Sequence, residues 1–357
     1  MSVNSFFNVA ALAAVTAVIS TAQASWTVTH LDLAGSTYSI AYAASGSQQA
    51  GSAFVGGVIR ASLWSGTSAS WVDLHPAGAA GSTAFAVSGS QQAGVAGVGG
   101  VAHASLWSGT SASWVDLHPA GATESYALAT SGSQQAGWAI MGGVSHASLW
   151  SGTNTSWVDL NPAAATESSA YAASGSQQAG SAFVGGVNRA SLWSGTSASW
   201  VDLHPAGTEG SQAFATTGSQ QAGWAFLGGA GHASLWNGTA ASWVDLNPAE
   251  ASGSSARATT GSQQAGWAIV DGNSLASLWS GTAASWIDLH AFLPAEFGSS
   301  QAVGISTNGT NTYIPGYGFN TLTGHTEALL WTQPIPAPGA AALLGLGGLS
   351  ATRRRRC

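Results

Sequence analysis

The sequence contains no lysine, and four of its seven arginines sit in one run, Arg353 to Arg356. Between residues 25 and 337 only Arg60, Arg189 and Arg257 stand against fourteen acidic residues, a net charge of −11. Phosphate backbones are held by clustered Lys and Arg whose binding releases counterions, so nucleic acid is excluded as a partner. Cysteine occurs once, at the final position Cys357, which rules out a disulfide framework within one chain. Charged residues reach only 6%, yet 45% of residues are hydrophobic and seventeen are Trp. A disordered chain has the opposite composition, poor in aromatics and rich in net charge. No window keeps a sustained helical period, so helices are excluded as the main element.

What is present is a repeat. The hexapeptide GSQQAG begins at Gly46, Gly89, Gly132, Gly175, Gly218 and Gly261, each 43 residues after the last. One unit, Ser113 to Trp150, holds four strand-like runs of the types SWVDL, SYALAT, QQAGWAI and HASLW, separated by Gly, Ser, Pro and Thr. Four short strands per 40–45 residues or so is the spacing of a propeller blade. Within GSQQAG, Gly-Ser turns the chain between the second and third runs, and Ala with the second Gly lets neighbouring backbones approach. The LW element ends at Trp64, Trp107, Trp150, Trp193, Trp236, Trp279 and Trp331. The SW…DL element occurs with Trp71, Trp114, Trp157, Trp200, Trp243 and Trp286, and a divergent copy, SWTVTHLDL, opens at Ser25. No copy follows Trp331, so the first strand is spare and the last unit lacks one. The fold predicted is all-β, a seven-bladed β-propeller of 43-residue repeats closed by the N-terminal strand, which removes two exposed sheet edges. An open β-solenoid, with end surfaces that need caps, is the alternative.

If the loop from HASLW to SWVDL is symmetric, Trp107 pairs with Trp114, and Ser105 faces Asp116 and His103 faces His118 on one side of the sheet. Leu106–Val115 and Ala104–Leu117 then take the other side. Each blade is expected to carry a Trp–Trp pair and a Ser–Asp hydrogen bond. His103, Ser105 and Asp116 are the residue types of a nucleophilic triad, but Ser and Asp recur in six units, and a ring has no use for six identical active sites. The structural reading is preferred. The facing His pair suggests a metal, yet the other units place Arg60/His75, His146/Asn161, Arg189/His204, His232/Asn247 and Leu275/His290 there, far from the three or four ligands zinc needs. Asp271-Gly272-Asn273 is too short for a calcium loop. No cofactor, metal or catalytic residue is assigned.

Trp138, Trp224 and Trp267 stand apart because only three units have them, and the others carry Ser52, Val95 or Ser181 at that position. Variable aromatics on a constant scaffold suit ligand stacking, and they equally suit gap filling. Glu124, Glu167, Glu209 and Glu250 fall in similar inter-strand loops and read as repeated surface decoration rather than the acid–base pair of a glycosidase.

The unit resembles the HAF repeat of bacterial extracellular proteins, whose His-Ala-Phe-Leu-Trp appears here as HASLW at 103–107, 146–150 and 232–236, followed by VDL and GSQQAG. The likeness covers about residues 25–331. It implies a surface or secreted protein and supplies no catalytic residue. The ends agree in direction. Residues 1–24 read as an export signal, with an apolar stretch from Phe6 to Ile19 and a small-x-small site at Ala22-Gln23-Ala24. Residues 334–357 place a Pro motif, an apolar stretch from Ala340 to Leu349 and the Arg353, Arg354, Arg355, Arg356 cluster in that order. This order resembles the PEP-CTERM sorting tail of Gram-negative bacteria, with Pro336-Ala337-Pro338 where that family has Pro-Glu-Pro. The resemblance implies an exosortase-like processing enzyme as partner and delivery to the cell surface or exopolysaccharide matrix. The apolar stretch is well short of the ~20 residues of a stable span, so membrane contact by the tail is expected to be transient. Between the two ends, residues 25–333 are expected to form the propeller, acting as a non-enzymatic binding or structural module toward an extracellular polysaccharide or envelope protein. The alternative is a polysaccharide hydrolase or lyase on the same scaffold.

Overall fold

The computed structural model describes residues 25–335. The seven blades lie at 39–73, 82–116, 122–159, 167–202, 210–245, 253–288 and 297–334. In blade 3 the inner, second, third and outer strands are Ala122–Thr130, Gln135–Met141, Val144–Trp150 and Val158–Asp159. Consecutive strands pair antiparallel in blades 1 to 6. The GG pairs between second and third strands, such as Gly56 (φ 63°) and Gly57 (φ 84°), have positive φ at both positions, as the tight two-residue hairpin demands. In blade 6, Asp271 (φ 50°) and Gly272 (φ 79°) do the same work, so DGN is a turn.

Blade 7 is built from both ends of the described chain. Phe297–Ala302, Asn311–Asn320 and His325–Pro334 form its inner three strands, and Thr27–His30 pairs antiparallel outside them. Val28 lies opposite Trp331 and His30 opposite Leu329. The spare first strand thus completes the incomplete last unit, as the count of elements predicts, and the ring is closed.

The core lies between blades. Each blade presents an Ala/Leu face to the Trp face of the next. Ala50, Ala61, Leu63 and Leu74 of blade 1 meet Ala84 and Trp107 of blade 2, and the same set repeats around the ring to Leu31, Ala328 and Leu330 against Trp64. All seven LW tryptophans are fully buried. Truncating one would cost about 3–5 kcal/mol.

A second inter-blade device was not anticipated from the sequence. The two-residue outer strands leave one third-strand N–H unpaired, and a serine of the next inner strand accepts from it. Ser82 Oγ takes the Ala61 N–H at 2.9 Å and lies 2.8 Å from His75 Nδ1. The hydroxyl donates to the imidazole when the neutral ring carries its proton on Nε2. In blades 3 and 5 the hydroxyl donates instead to Asn161 Oδ1 and Asn247 Oδ1, each at 2.6 Å. At the closure Ser39 Oγ donates to Asp32 Oδ1 at 2.6 Å and accepts the Ala328 N–H at 2.9 Å. His, Asn and Asp share an acceptor, which is what this position requires.

The clasp has a pH sign. His118 also lies 3.1 Å from the Ala122 carbonyl through Nε2, so its neutral Nε2–H form satisfies both bonds. Burial, then the His103 charge, hold its pKa below the ordinary value of 6.5. His75 and His204 are lowered by burial and then by Arg60 and Arg189. A histidine with a lowered folded pKa contributes stability that is present above the unfolded value and lost as pH falls through the folded one. Thermal stability is therefore expected to fall as pH drops below about 6.5. Replacing His75, His118 and His204 by Asn, the residue blades 3 and 5 already use, should flatten that dependence. Melting curves at pH 5 and 7.5 for the parent and the triple variant check this, and equal slopes would refute it.

Candidate functional site

The inner strands surround the axis, and each departs from regular pairing at one place. In blade 1 the register with the second strand shifts between Ala41 and Ala43. The same shift recurs at Ala84/Ala86, Ala127/Ala129, Ala170/Ala172, Ala213/Ala215 and Ala256/Ala258. The residue left over at such a bulge is released from the ladder and re-aimed. Here the extra residues are Tyr42, Phe85, Leu128, Tyr171, Phe214 and Arg257, all half-buried. Val303, just after the last paired residue of blade 7's inner strand, takes the seventh place. Together they line an axial channel with a cavity of about 530 Å³, within the size range of ligand sites, roughly 300–1,000 Å³.

The lining is mostly aromatic and aliphatic, with Thr130, Thr216, Thr259 and Gln301 as uncharged polar groups and one charge. Tyr42 and Phe85 meet edge to face at 5.4 Å, and Tyr171 and Phe214 lie 5.4 Å apart. Arg257 places its guanidinium carbon 4.2 Å over the Phe214 ring. Burial pushes the Arg257 pKa down, opposed by the neighbouring Tyr317 and Tyr171. Burial raises Tyr42 far above the ordinary phenol, and Tyr317 more modestly. The Tyr317 hydroxyl donates to Gln301 Oε1 at 2.7 Å. No Asp, Glu or His is among the residues that line the cavity.

The three tryptophans singled out by the sequence lie on second strands, half-buried, and none of them lines the cavity. Trp138 faces Tyr126 of its own inner strand and stacks on it at 4.4 Å. Tyr126 lies 6.4 Å from Phe85, so Trp138 ends a chain of rings that starts at the channel wall with Tyr42. Trp224 meets Phe226 edge-on at 6.2 Å, and Trp267 faces Ser255 and Ala276 across the sheet. The blade 7 counterpart is Tyr317, opposite Gln301, and it does line the channel. Sequence reasoning passed over Tyr317 because the last unit has lost the GSQQAG landmark. It missed the bulge residues because a bulge breaks the period of two on which the strand reading depends.

The outer hairpin has the predicted register, with Ser105 opposite Asp116 and Leu106 opposite Val115. His103 and His118 face each other as stacked rings, 4.0 Å apart. The expected Ser–Asp hydrogen bond does not form. Ser105 Oγ donates to the His103 carbonyl at 2.9 Å and accepts from Trp114 Nε1 at 2.9 Å. Asp116 is occupied by the His118 N–H and by His103 Nδ1, both at 2.8 Å. Trp107 and Trp114 share an apolar cluster rather than a ring-on-ring contact, because Trp114 is turned to reach the serine. With Ser105 hydrogen-bonded to backbone and indole, the three residues do not form a nucleophile–base relay. The glutamates are exposed as expected, but Glu124 and Glu167 lie in the first residues of inner strands rather than in loops. The sorting residues Pro336, Pro338, Arg353, Arg354, Arg355 and Arg356, like residues 1–24, lie outside the described residues.

No family model and no curated protein matches the sequence. Solved structures do. Oligogalacturonate lyase from Vibrio parahaemolyticus aligns over 88% of this chain and 97% of its own at 9% identity, with a TM-score of 0.55. The β-propeller domain of the Trilobed protease from Pyrococcus furiosus, which has an open velcro topology, aligns over 85% and 97% at 8% identity, with a TM-score of 0.54. TolB from Acinetobacter baumannii aligns over 68% of this chain at 12% identity and a TM-score of 0.47, and the chain spans 61% of that protein's length. At such identities what the first two share with this chain is its fold, the β-propeller.

Proposed function

We propose that the protein is an exported, non-catalytic binding module of the cell surface or its extracellular matrix, and that its ligand sits in the axial channel. The observation that carries this reading is where the repeats differ. The scaffold positions are near-identical from blade to blade, whereas the bulge position runs Tyr, Phe, Leu, Tyr, Phe, Arg, Val. Uniform packing asks for no such variation, and an asymmetric guest does. An apolar wall with a few convergent polar groups is the ordinary make-up of a ligand site. The export-type leader, the Pro-apolar-Arg tail and the resemblance to HAF repeats support a place outside the cytoplasm and contact with polysaccharide. A polysaccharide-cleaving enzyme is the second reading. Its support is the likeness to an oligogalacturonate lyase, and no carboxylate or imidazole among the described lining residues is available as acid or base.

The test uses protein recovered from its own cells. Its intact mass should match a chain from near Ser25 to near Pro338, and the protein should be found at the cell surface or in the matrix. Immobilised, it should retain the producer's extracellular polysaccharide, and a variant with Tyr42, Phe85, Tyr171 and Phe214 all changed to Ala should lose that retention while keeping its circular dichroism. Cytoplasmic protein with the mass of residues 25–357 would defeat the location. Retention unchanged by the four substitutions would defeat the channel.

A further inference from the structure

Arg257 is the one cation of the channel, and among the described residues it has no hydrogen-bond or carboxylate partner. Arg60 and Arg189, the other two arginines between residues 25 and 337, are paired with Asp73 at 2.6 Å and Asp202 at 2.8 Å. A guanidinium taken partly out of water without an anion is unfavourable, and the five other bulged blades show that this position folds with Tyr, Phe or Leu. The charge is therefore not a packing requirement. Its surroundings narrow what it would take. The guanidinium carbon sits over the Phe214 ring and no protein group among the described residues takes its N–H donors, and carboxylate is the group whose two oxygens match that fork. Around it stand Tyr171 and Tyr317, with rings for the C–H face of a cyclic guest, and the Tyr317 oxygen, whose proton goes to Gln301 Oε1, keeps its acceptor capacity for a guest hydroxyl.

We propose that the axial channel is a site for an acidic saccharide, with Arg257 holding the carboxylate of a uronate-type residue and Tyr171 and Phe214 stacking on the flanking rings. This rests on the channel reading above and gives it a ligand class. A peptide's C-terminal carboxylate is the rival guest. It is disfavoured because the wall offers rings in several blades, while its uncharged polar side chains, Thr130, Thr216, Thr259 and Gln301, already hydrogen-bond within the protein. The outer-strand aspartates that give the molecule its negative charge, such as Asp73 and Asp116, lie at the rim of their blades and not in the channel lining.

The experiment titrates the full chain by calorimetry with an oligoglucuronate trimer, with the carboxyl-reduced trimer of the same linkage, and with the tripeptide Ala-Ala-Ala. The acidic trimer should bind at least about tenfold more tightly than the neutral one, the step expected for one hydrogen-bonded charge. Arg257→Gln should remove that preference without lowering the melting temperature, and Arg257→Lys should restore part of it. Equal binding of both trimers, abolished by Phe214→Ala, would overturn the anion site and leave the channel reading standing. Preference for the tripeptide, or undiminished acidic-trimer binding by Arg257→Gln, would overturn the saccharide proposal. No binding of the acidic trimer at millimolar concentration would overturn it as well.

Discussion

A chain lacking residues 25–33 should melt about 10 °C or more below the parent and aggregate from the partly opened state. The segment supplies the outer strand of blade 7, so its loss leaves the third strand, His325–Pro334, with an unpaired edge. It also removes Trp26 and Leu31, both buried in inter-blade clusters. Burying side chains of this size contributes about 1.5–3 kcal/mol each. The closing clasp fails too, because Asp32 can no longer accept from Ser39. There is a device for choosing the correct edge. In blades 1 to 5 the third strand carries the base and the outer strand the acid, as with Arg60–Asp73 and His103–Asp116. In blade 7 the order is reversed, with Glu327 on the third strand and His30 on the closing strand, 3.4 Å apart. His30 placed in any of those five blades would face an Arg or a His. The measurement is differential scanning calorimetry with size-exclusion chromatography, plus addition of a peptide of residues 25–33. A truncated chain as stable and monomeric as the parent would show that closure does not hold the ring.

The architecture was legible in the sequence because it is written seven times. The recurrence of LW and SW…DL counts the blades, and the displaced copy at Ser25 predicts the closure, since a sheet edge without a partner is a cost that the chain can remove. Turn chemistry was equally direct at the Gly-Ser positions. The glutamines were not. In each of the first six blades the second Gln of GSQQAG is buried and accepts from a glycine N–H beyond the third strand, as Gln49 does from Gly66 at 2.9 Å. The first Gln reaches towards the neighbouring blade, as Gln220 does to Gln264 at 3.0 Å. These partners lie 17 and 44 residues away, and local patterning contains no trace of them. The inter-blade serines were hidden for the same reason. The channel was hidden for another. Its lining residues are those that fall out of the strand period, so an alternation argument assigns them to a face they do not occupy. The variable Trp138 is joined to the channel wall through Tyr126, although the residues at the wall are Phe85 and Tyr42.

Gly137→Ala should cost several kcal/mol and close the channel locally, although it adds a single methyl group. A Cβ at Gly137 would lie 1.8 Å from the Tyr126 carbonyl oxygen and 3.0 Å from Ala127 Cα. Both are backbone atoms of the inner strand, so no side-chain rotation relieves the contact. Gly137 pairs with Ala127, immediately before the bulge that releases Leu128. Relief therefore means moving the inner strand towards the axis or giving up the bulge. The same glycine recurs as Gly51, Gly94, Gly180, Gly223 and Gly266, each with an inner-strand carbonyl 1.9 Å from its added Cβ. Overpacked substitutions typically cost about 1–3 kcal/mol, and a rigid backbone neighbour places this one at or above the top of that range. By contrast Gly152, with φ 84° and nothing within 4 Å of an added Cβ, should lose only the smaller cost of a left-handed backbone, about 1 kcal/mol. Urea melts of the two variants side by side give the ranking. Ligand titration of Gly137→Ala under conditions where it remains folded then separates stability from the site, because a displaced inner strand in blade 3 moves Leu128 and Tyr126 together. If Gly137→Ala is no less stable than Gly152→Ala, close approach of the two strands is not what the repeated glycine provides.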